Sequence, residues 1–446
     1  MTTPVHDPVE GTAAPRRPLR ALVAGSVGNF IEWYEFGVYG YFATIIAANF
    51  FTPDGGSDVE ALVKTYASFA LAFFFRPVGA AVFGRLGDRM GRRPTLIVVI
   101  LLMTGATTLI GLLPTYATLG AAAPWLLTLL RVVQGLSAGG EFGGAVSIMT
   151  EFAPPGRRGL YGAWQSFTVA LGLLAGAGMA ALLATVLTGP ELDDWGWRLP
   201  FLLTLPLGLA ALWLRLKLEE TPSFRRTRTG PPEKEGRPSA VTPPPAPARE
   251  VAKAIVLGAG RLMGWSAAGY TFLVVMPSYL QSTLNASFQQ ALVATVLANL
   301  GFAASILPAG ALSDRIGRRA VMVTGAVLVA VLAFPLMHLL QDAGSSTASK
   351  SLAVFVAGAA VGLMAGPGPA MLSEMFPTSV RYTGLGLAYA LSNAVFSGCA
   401  GLIITEAIKR TDNIDIPAHY VVVTCAVSTL ALLTLRGDDH RRALRD

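Results

Sequence analysis

The sequence predicts an all-α membrane protein: twelve transmembrane helices in two pseudo-symmetric six-helix bundles. Three observations carry that reading. The 446-residue chain is 53% hydrophobic and only 14% charged, with mean hydropathy +0.54. A soluble domain carries about 25% charge, so lipid must replace water over most of this surface. Apolar runs long enough to cross a bilayer, roughly 20 residues, recur through both halves. The halves also repeat each other. Gly84-Arg-Leu-Gly-Asp88-Arg89-Met-Gly91-Arg92-Arg93 returns as Gly310-Ala-Leu-Ser-Asp314-Arg315-Ile-Gly317-Arg318-Arg319, 226 residues later. Glu151-Phe-Ala-Pro154 with Arg158 returns as Glu374-Met-Phe-Pro377 with Arg381, 223 residues later. Two motif pairs in the same order and at nearly the same offset mark an internal duplication.

Taken in order, residues 1–18 are polar and proline-bearing and read as a disordered tail. The pair Arg16-Arg17 ahead of an apolar run suggests a twin-arginine signal. That run is too long for a signal core and carries two carboxylates, so it reads as an uncleaved first span. Spans are expected near 20–47, 61–84, 94–116, 123–150, 159–188 and 198–218, making a first bundle over 19–218. The second bundle, 251–437, takes spans near 252–280, 288–311, 320–341, 351–374, 384–408 and 418–436. Between them, residues 219–250 hold eight prolines and mixed charge without apolar periodicity, a solvated linker. Residues 438–446 form a second tail.

Lys and Arg crowd the tails, the linker and loops 2–3, 4–5, 8–9 and 10–11. The opposite side holds only Lys64, Arg198, Lys350, Lys409 and Arg410. By the positive-inside rule both termini are cytoplasmic, in a multi-pass protein of the plasma membrane. No basic-aromatic reading motif or recognition helix points to nucleic acid. Cys399 and Cys425 lie in separate apolar runs and read as packing residues rather than a disulfide or metal pair. With only His6, His338, His419 and His440, none beside a nucleophile or another ligand, no metal, cofactor or enzymatic activity is expected. Neither tail is long enough for the output domain a non-transporting solute receptor would need.

The repeated hinge lets two helices turn tightly while its arginines hold the turn at the cytoplasmic surface. It also suggests a latch. Asp88 is expected near the N-terminus of the span beginning around Thr383, where the helix dipole favours a carboxylate, and Arg92 near Glu151. The duplicate would aim Asp314 at the start of span 5 and pair Arg318 with Glu374. Gly84, Arg89 and Gly91 complete the motif.

Ionisable residues at membrane depth are costly and mark pathways. Here they are Glu32, Glu35, Arg76, Arg131, Glu141 and Arg261. Glu32 and Glu35, at i and i+3, share one face of span 1. Arg131 lies in span 4, and Glu141 lies ten residues beyond it, about 15 Å along a helix. They form either static ion pairs or a proton site, in which substrate binding to Arg131 would change the proton affinity of Glu35. Tyr34, Gln134, Gln165, Tyr270, Asn299 and Asn393 are candidate substrate contacts or interhelical hydrogen bonds. Trp33, Trp164 and Trp265 are cavity wall or packing.

The duplicated Gly-x-x-x-Asp-Arg-x-Gly-Arg-Arg loop, with twelve spans and a central linker, resembles the major facilitator superfamily. More narrowly, several stretches resemble its metabolite:proton symporter family, which includes proline/betaine and α-ketoglutarate transporters. They are Gly28-Asn29-Phe30-Ile31-Glu32-Trp33-Tyr34-Glu35-Phe36, Phe75-Arg76-Pro77-Val78-Gly79, Arg131-Val-Val-Gln134-Gly135-Leu-Ser-Ala-Gly139-Gly140-Glu141, Trp195-Gly196-Trp197-Arg198-Leu199-Pro200-Phe201, Leu218-Glu219-Glu220-Thr221-Pro222-Ser223-Phe224 and Glu374-Met-Phe-Pro377-Thr-Ser-Val-Arg381. Glu35 stands where the family usually has Asp. The resemblance implies the major facilitator fold and alternating access, with a carboxylate on span 1 and a base on span 4 serving proton coupling. The expected function is proton symport of a small carboxylate-bearing metabolite, an organic acid such as a dicarboxylate. That choice rests partly on the missing C-terminal coiled coil of osmosensing relatives. The alternative substrate is a zwitterionic osmolyte such as proline or betaine. A monomer in the lipid bilayer, with substrate and proton as its partners, completes the expectation.

Overall fold

A computed structural model describes residues 17–52, 57–90, 92–151, 153–216, 247–377 and 380–437. The described residues are helical throughout, with no strand among them. Span 1 runs Arg17–Tyr41 and continues through Ala43–Ile46 and a π-helical turn, Ala47–Phe51. Spans 2 and 3 are Asp58–Met90 and Arg92–Leu112. Spans 5 and 6 are Arg158–Val186 and Leu199–Leu216. Span 7 is Ala248–Tyr270, prolonged by Thr271–Val275 and Met276–Ser282. It starts a few residues inside the expected linker. Spans 8 and 9 are Phe288–Ile316 and Arg318–Gln341. Span 11 is Arg381–Ser392, Asn393–Gly398 and Ala400–Thr411, and span 12 is Ile416–Leu433.

Spans 4 and 10 are broken at corresponding places. Span 4 is Ala122–Ala138 then Phe142–Glu151, parted at Gly139-Gly140-Glu141. Span 10 is Thr347–Ala365 then Gly368–Met375, parted at Gly366-Pro367. Nine of the described helical segments are long and apolar enough to cross a bilayer by themselves. The remaining spans, 1, 4 and 7, carry Glu32 and Glu35, Arg131 and Glu141, and Arg261. Charge at depth is concentrated where hydropathy is weakest.

The duplication is visible in packing. A Cβ on Gly135 would collide with the carbonyl of Ala72, and one on Gly358 with that of Ala298. Spans 2 and 4, and spans 8 and 10, therefore approach backbone to backbone, as small residues allow in membranes. Span 1 packs on span 5 within the first half, and across the two halves span 5 packs on span 8 and span 2 on span 11. The end at which span 1 begins and span 12 finishes is called here the terminal face.

The two halves touch at both ends. At the terminal face Asp314 accepts hydrogen bonds from the backbone N–H groups of Gly159 (2.7 Å) and Leu160 (2.9 Å), the first turn of span 5. At the opposite end Tyr66 and Ser278 share a 2.5 Å hydrogen bond, and Gln289 donates to Thr185 at 3.1 Å. Contacts at both ends leave the middle closed off.

Candidate functional site

Membrane burial makes every polar group seek an internal partner, and two constellations result. The first lies in the N-terminal bundle. Thr107 of span 3 donates to Glu35 Oε2 at 2.8 Å, and Gln134 Nε2 donates to Thr107 at 2.5 Å. Arg131 Nη1 donates in turn to Gln134 Oε1 at 2.6 Å. Glu35 and Arg131 are thus linked through two neutral side chains, where the sequence suggested a direct pair. The other carboxylate oxygen, Glu35 Oε1, is buried without a hydrogen-bond partner among the described residues.

The Arg131 guanidinium lies over the rings of Tyr39 (4.1 Å), Phe69 (4.8 Å) and Phe36 (5.0 Å). Each desolvated cation–π contact of this kind contributes about 2 kcal/mol. Arg76 takes a similar place between Phe36 (4.2 Å) and Phe73 (4.3 Å) and pairs with Glu32 at 3.1 Å. Glu141, at the break in span 4, pairs with Arg215 of span 6, which also donates to the Leu96 carbonyl at 2.8 Å. Arg215 reads in the sequence as a loop cation at the end of a span. It is in fact buried, and Thr107 was not a candidate at all.

The second constellation is a cavity between the halves. Its walls include Trp33, Trp265, Tyr270, Tyr389, Asn393 and Ser397, and it holds about 30 Å³. That is room for a few waters at most, against the few hundred Å³ of an open ligand site, so the cavity is collapsed. Trp33 packs against Tyr270 (ring centroids 6.1 Å) and Trp265 against Tyr389 (5.9 Å). The Tyr270 hydroxyl is buried without a hydrogen-bond partner among the described residues.

Two π-helical turns supply Leu273, Val274, Asn393 and Ser397 to these walls. Such turns collect at functional sites. One has a local cause. Pro277 has no N–H to offer the Leu273 carbonyl one turn back, and Asn299 Nδ2 approaches that carbonyl at 3.4 Å.

The other sequence candidates go elsewhere. Asn299 also donates to Thr295 O (2.9 Å), a scaffold role outside the cavity walls. Gln165 and Asn29 bond to each other, joining spans 1 and 5, and Tyr34 donates to the Pro200 carbonyl at 3.1 Å. None of these three lines the cavity. Arg261 is also displaced from the centre: it donates to Thr434 (2.8 Å) at the terminal face. Trp164 is partly exposed and donates to Ser26. Asn393 and Tyr270 do line the cavity.

In the second copy of the hinge, Arg318 donates to Asp314 (2.7 Å) and Glu374 (3.1 Å), and Glu374 also faces Arg158 of the other half at 3.6 Å. The candidate latch residues of the first copy, Gly84, Asp88, Arg89, Gly91 and Arg92 with Glu151, lie outside the residues whose side chains are described.

Comparison with known proteins fits this architecture. A family model described as "Sugar (and other) transporter" matches residues 21–237, and one described as "Major Facilitator Superfamily" matches 262–444. The chain is 34% identical to a proline/betaine transporter of Escherichia coli (strain K12), over 95% of this chain and 84% of the relative. The chain belongs to the major facilitator superfamily of transporters. Other relatives in the superfamily include an ectoine/proline transporter of Corynebacterium glutamicum, 34% identical over 96% of this chain and 86% of that one. A glycine betaine/proline/ectoine/pipecolic acid transporter of Dickeya dadantii is also 34% identical, over 94% of this chain and 83% of its own. The fold matches the crystal structure of a D-xylose-proton symporter with TM-score 0.72, at 20% identity over 93% of this chain and 96% of that one. The superfamily member described here is therefore a multi-pass secondary transporter and not an enzyme.

Proposed function

We propose that this transporter carries a zwitterionic osmolyte of the proline or betaine type together with a proton. The observation that carries the reading is the wall of the central cavity: five aromatic side chains and, among the described residues, no Lys or Arg. Aromatic faces bind methylated ammonium groups, whereas a dicarboxylate would need cations that this wall does not offer. The names of the relatives point the same way, and the organic acid favoured by the sequence becomes the weaker reading. Entry of such a solute requires the collapsed walls to separate, as alternating access demands.

Glu35 is the proposed proton carrier. Thr107 and Gln134 tie it to Arg131, so movement of span 4 against span 1 alters the environment of the carboxylate. Glu32, one turn away and held by Arg76, is the alternative carrier. The contacts of Asp314, Arg318 and Glu374 are the proposed latch of the terminal face, and the distribution of Lys and Arg supports a cytoplasmic reading of that face.

Counterflow in proteoliposomes tests the substrate class. Glycine betaine or proline should exchange and α-ketoglutarate should not, and an imposed inward proton gradient should drive accumulation. Exchange of α-ketoglutarate faster than betaine and proline would reverse the assignment. Binding without flux would point to a receptor.

A further inference from the structure

We propose that the Tyr270 hydroxyl is the group in the central cavity that recognises the carboxylate of the transported zwitterion. It thereby sets the choice between a zwitterion and a plain ammonium cation. The inference rests on the substrate reading given above and accounts for the other end of the ligand. Aromatic faces bind an ammonium group; a carboxylate needs a donor.

Tyr270 ends the first helix of span 7, just before the π-helical turn Thr271–Val275. Its ring reaches the other half, against Trp33 of span 1 (ring centroids 6.1 Å) and Phe69 and Phe73 of span 2 (6.1 and 5.4 Å). Phe73 in turn fills the space left by Gly398 of span 11, where a Cβ would collide with it. These contacts hold the ring and leave the hydroxyl unexplained.

Ser266, Asn393 and Ser397 of the same wall are already paired. Ser266 and Ser392 share a 2.9 Å hydrogen bond, and Asn393 Nδ2 donates to the Tyr389 carbonyl at 2.9 Å. Ser397 donates to the Ser266 carbonyl (3.1 Å) or to Asn393 Oδ1 (3.0 Å). Of the fully buried side-chain polar atoms of the wall, the Tyr270 hydroxyl alone has no hydrogen-bond partner among the described residues. Burying such a group unpaired is costly. Phenylalanine would make the same ring contacts without that cost, so the hydroxyl meets its acceptor in a state other than this closed one. A carboxylate entering as the walls part supplies the acceptor, while the ammonium end meets the faces of Trp33, Trp265 and Tyr389.

The test uses purified full-length protein in nanodiscs. Isothermal titration compares glycine betaine with choline, which carries the same trimethylammonium group on an uncharged arm. Tyr270→Phe should weaken betaine binding about tenfold or more, the worth of a hydrogen bond to a charged acceptor, and leave choline binding unchanged. Tyr389→Phe, which removes another hydroxyl of the wall, should keep the wild-type preference. The unfolding midpoint of ligand-free Tyr270→Phe should equal or exceed that of the wild type. A lower midpoint would give the hydroxyl a partner within the fold and overturn the inference. Unchanged betaine affinity in Tyr270→Phe overturns it, and so does equal weakening of betaine and choline. Arg76 lies over the same Trp33 and Phe73 rings (5.4 and 4.3 Å). A variant that keeps the betaine preference but shifts the pH dependence of binding would therefore assign the hydroxyl to the Glu32–Arg76 pair instead. Each of these outcomes leaves the substrate reading standing. Wild-type protein that binds neither betaine nor proline removes that reading and this inference together.

Discussion

Phe142 and Tyr389 stack face to face across the two halves, their ring centroids 3.5 Å apart and their planes within 3° of parallel. Phe142 follows Glu141 at the break in span 4, and Tyr389 is also a wall of the central cavity. The pair joins the charged N-terminal bundle to the aromatic cavity and must separate if the halves are to rock apart. Replacing Phe142 by Ala removes an aromatic pair contributing about 1 kcal/mol beyond its buried area. Phe142→Ala should therefore raise, several-fold, the labelling of a cysteine at Ser397 by an impermeant reagent from the terminal face. Phe142→Tyr should not. Equal labelling in all three proteins would show that the pair is not a gate.

The proton assignment predicts a separation of two activities. Glu35→Gln keeps size and hydrogen bonding but cannot ionise, so accumulation driven by a pH gradient should disappear while counterflow continues. If Glu35→Gln still concentrates substrate and Glu32→Gln does not, the carrier is Glu32. Normal accumulation by both variants would reject the span-1 mechanism.

Thr107 is predicted to matter through Glu35. Thr107→Val keeps the shape but leaves Glu35 and Gln134 without their shared partner, a loss of about 1–3 kcal/mol for a buried polar group. Proton-driven uptake should fall roughly tenfold with a displaced pH profile, and Thr107→Ser should restore both. A Val variant with the wild-type profile would leave Thr107 a packing residue.

The latch predicts a charge-swap rescue. Arg318→Glu strands Glu374 and Asp314 beside a like charge, and breaking a buried ion pair costs about 3–5 kcal/mol. Adding Glu374→Arg should recover part of the lost transport. A double variant no better than either single one in the mutant cycle would sever the proposed partnership.

Orientation has its own check. A cysteine placed near Ser239 in the linker should react with impermeant reagents only in inside-out vesicles, and one near Asp342 only in right-side-out vesicles. Labelling of both from the same face would invert or break the proposed topology.

Much of the site was legible as residue types and not as contacts. Ionisable groups in apolar runs are rare enough to stand out, so Glu32, Glu35, Arg76, Arg131 and Glu141 could be listed from the chain. Thr107 could not, because a threonine in a membrane helix usually returns its hydroxyl to its own backbone, as Thr107 also does toward Met103. Arg215 sits at the end of an apolar run, where an arginine normally reaches the headgroups. Only the close approach of spans 3, 4 and 6 reveals that it turns inward. Of the cavity walls, Trp33, Trp265, Tyr270 and Asn393 could be listed from the chain and Tyr389 and Ser397 could not: the π turn that presents Ser397 shifts helical register, and register is what a periodicity argument assumes.

By itself the sequence determined the membrane environment, the helical class and the duplication, since all three follow from composition, run length and repeated motifs along one dimension. It also supplied the inventory of buried charge. Tertiary structure decided the partners. Glu32 met Arg76 and Glu141 met Arg215, while Glu35 reached Arg131 only through Thr107 and Gln134. Arg261 was carried away from the centre to Thr434. Pairing in a membrane depends on which helix faces meet, and that is set by where small residues such as Gly135 and Gly358 let backbones touch. No spacing along the chain contains that information.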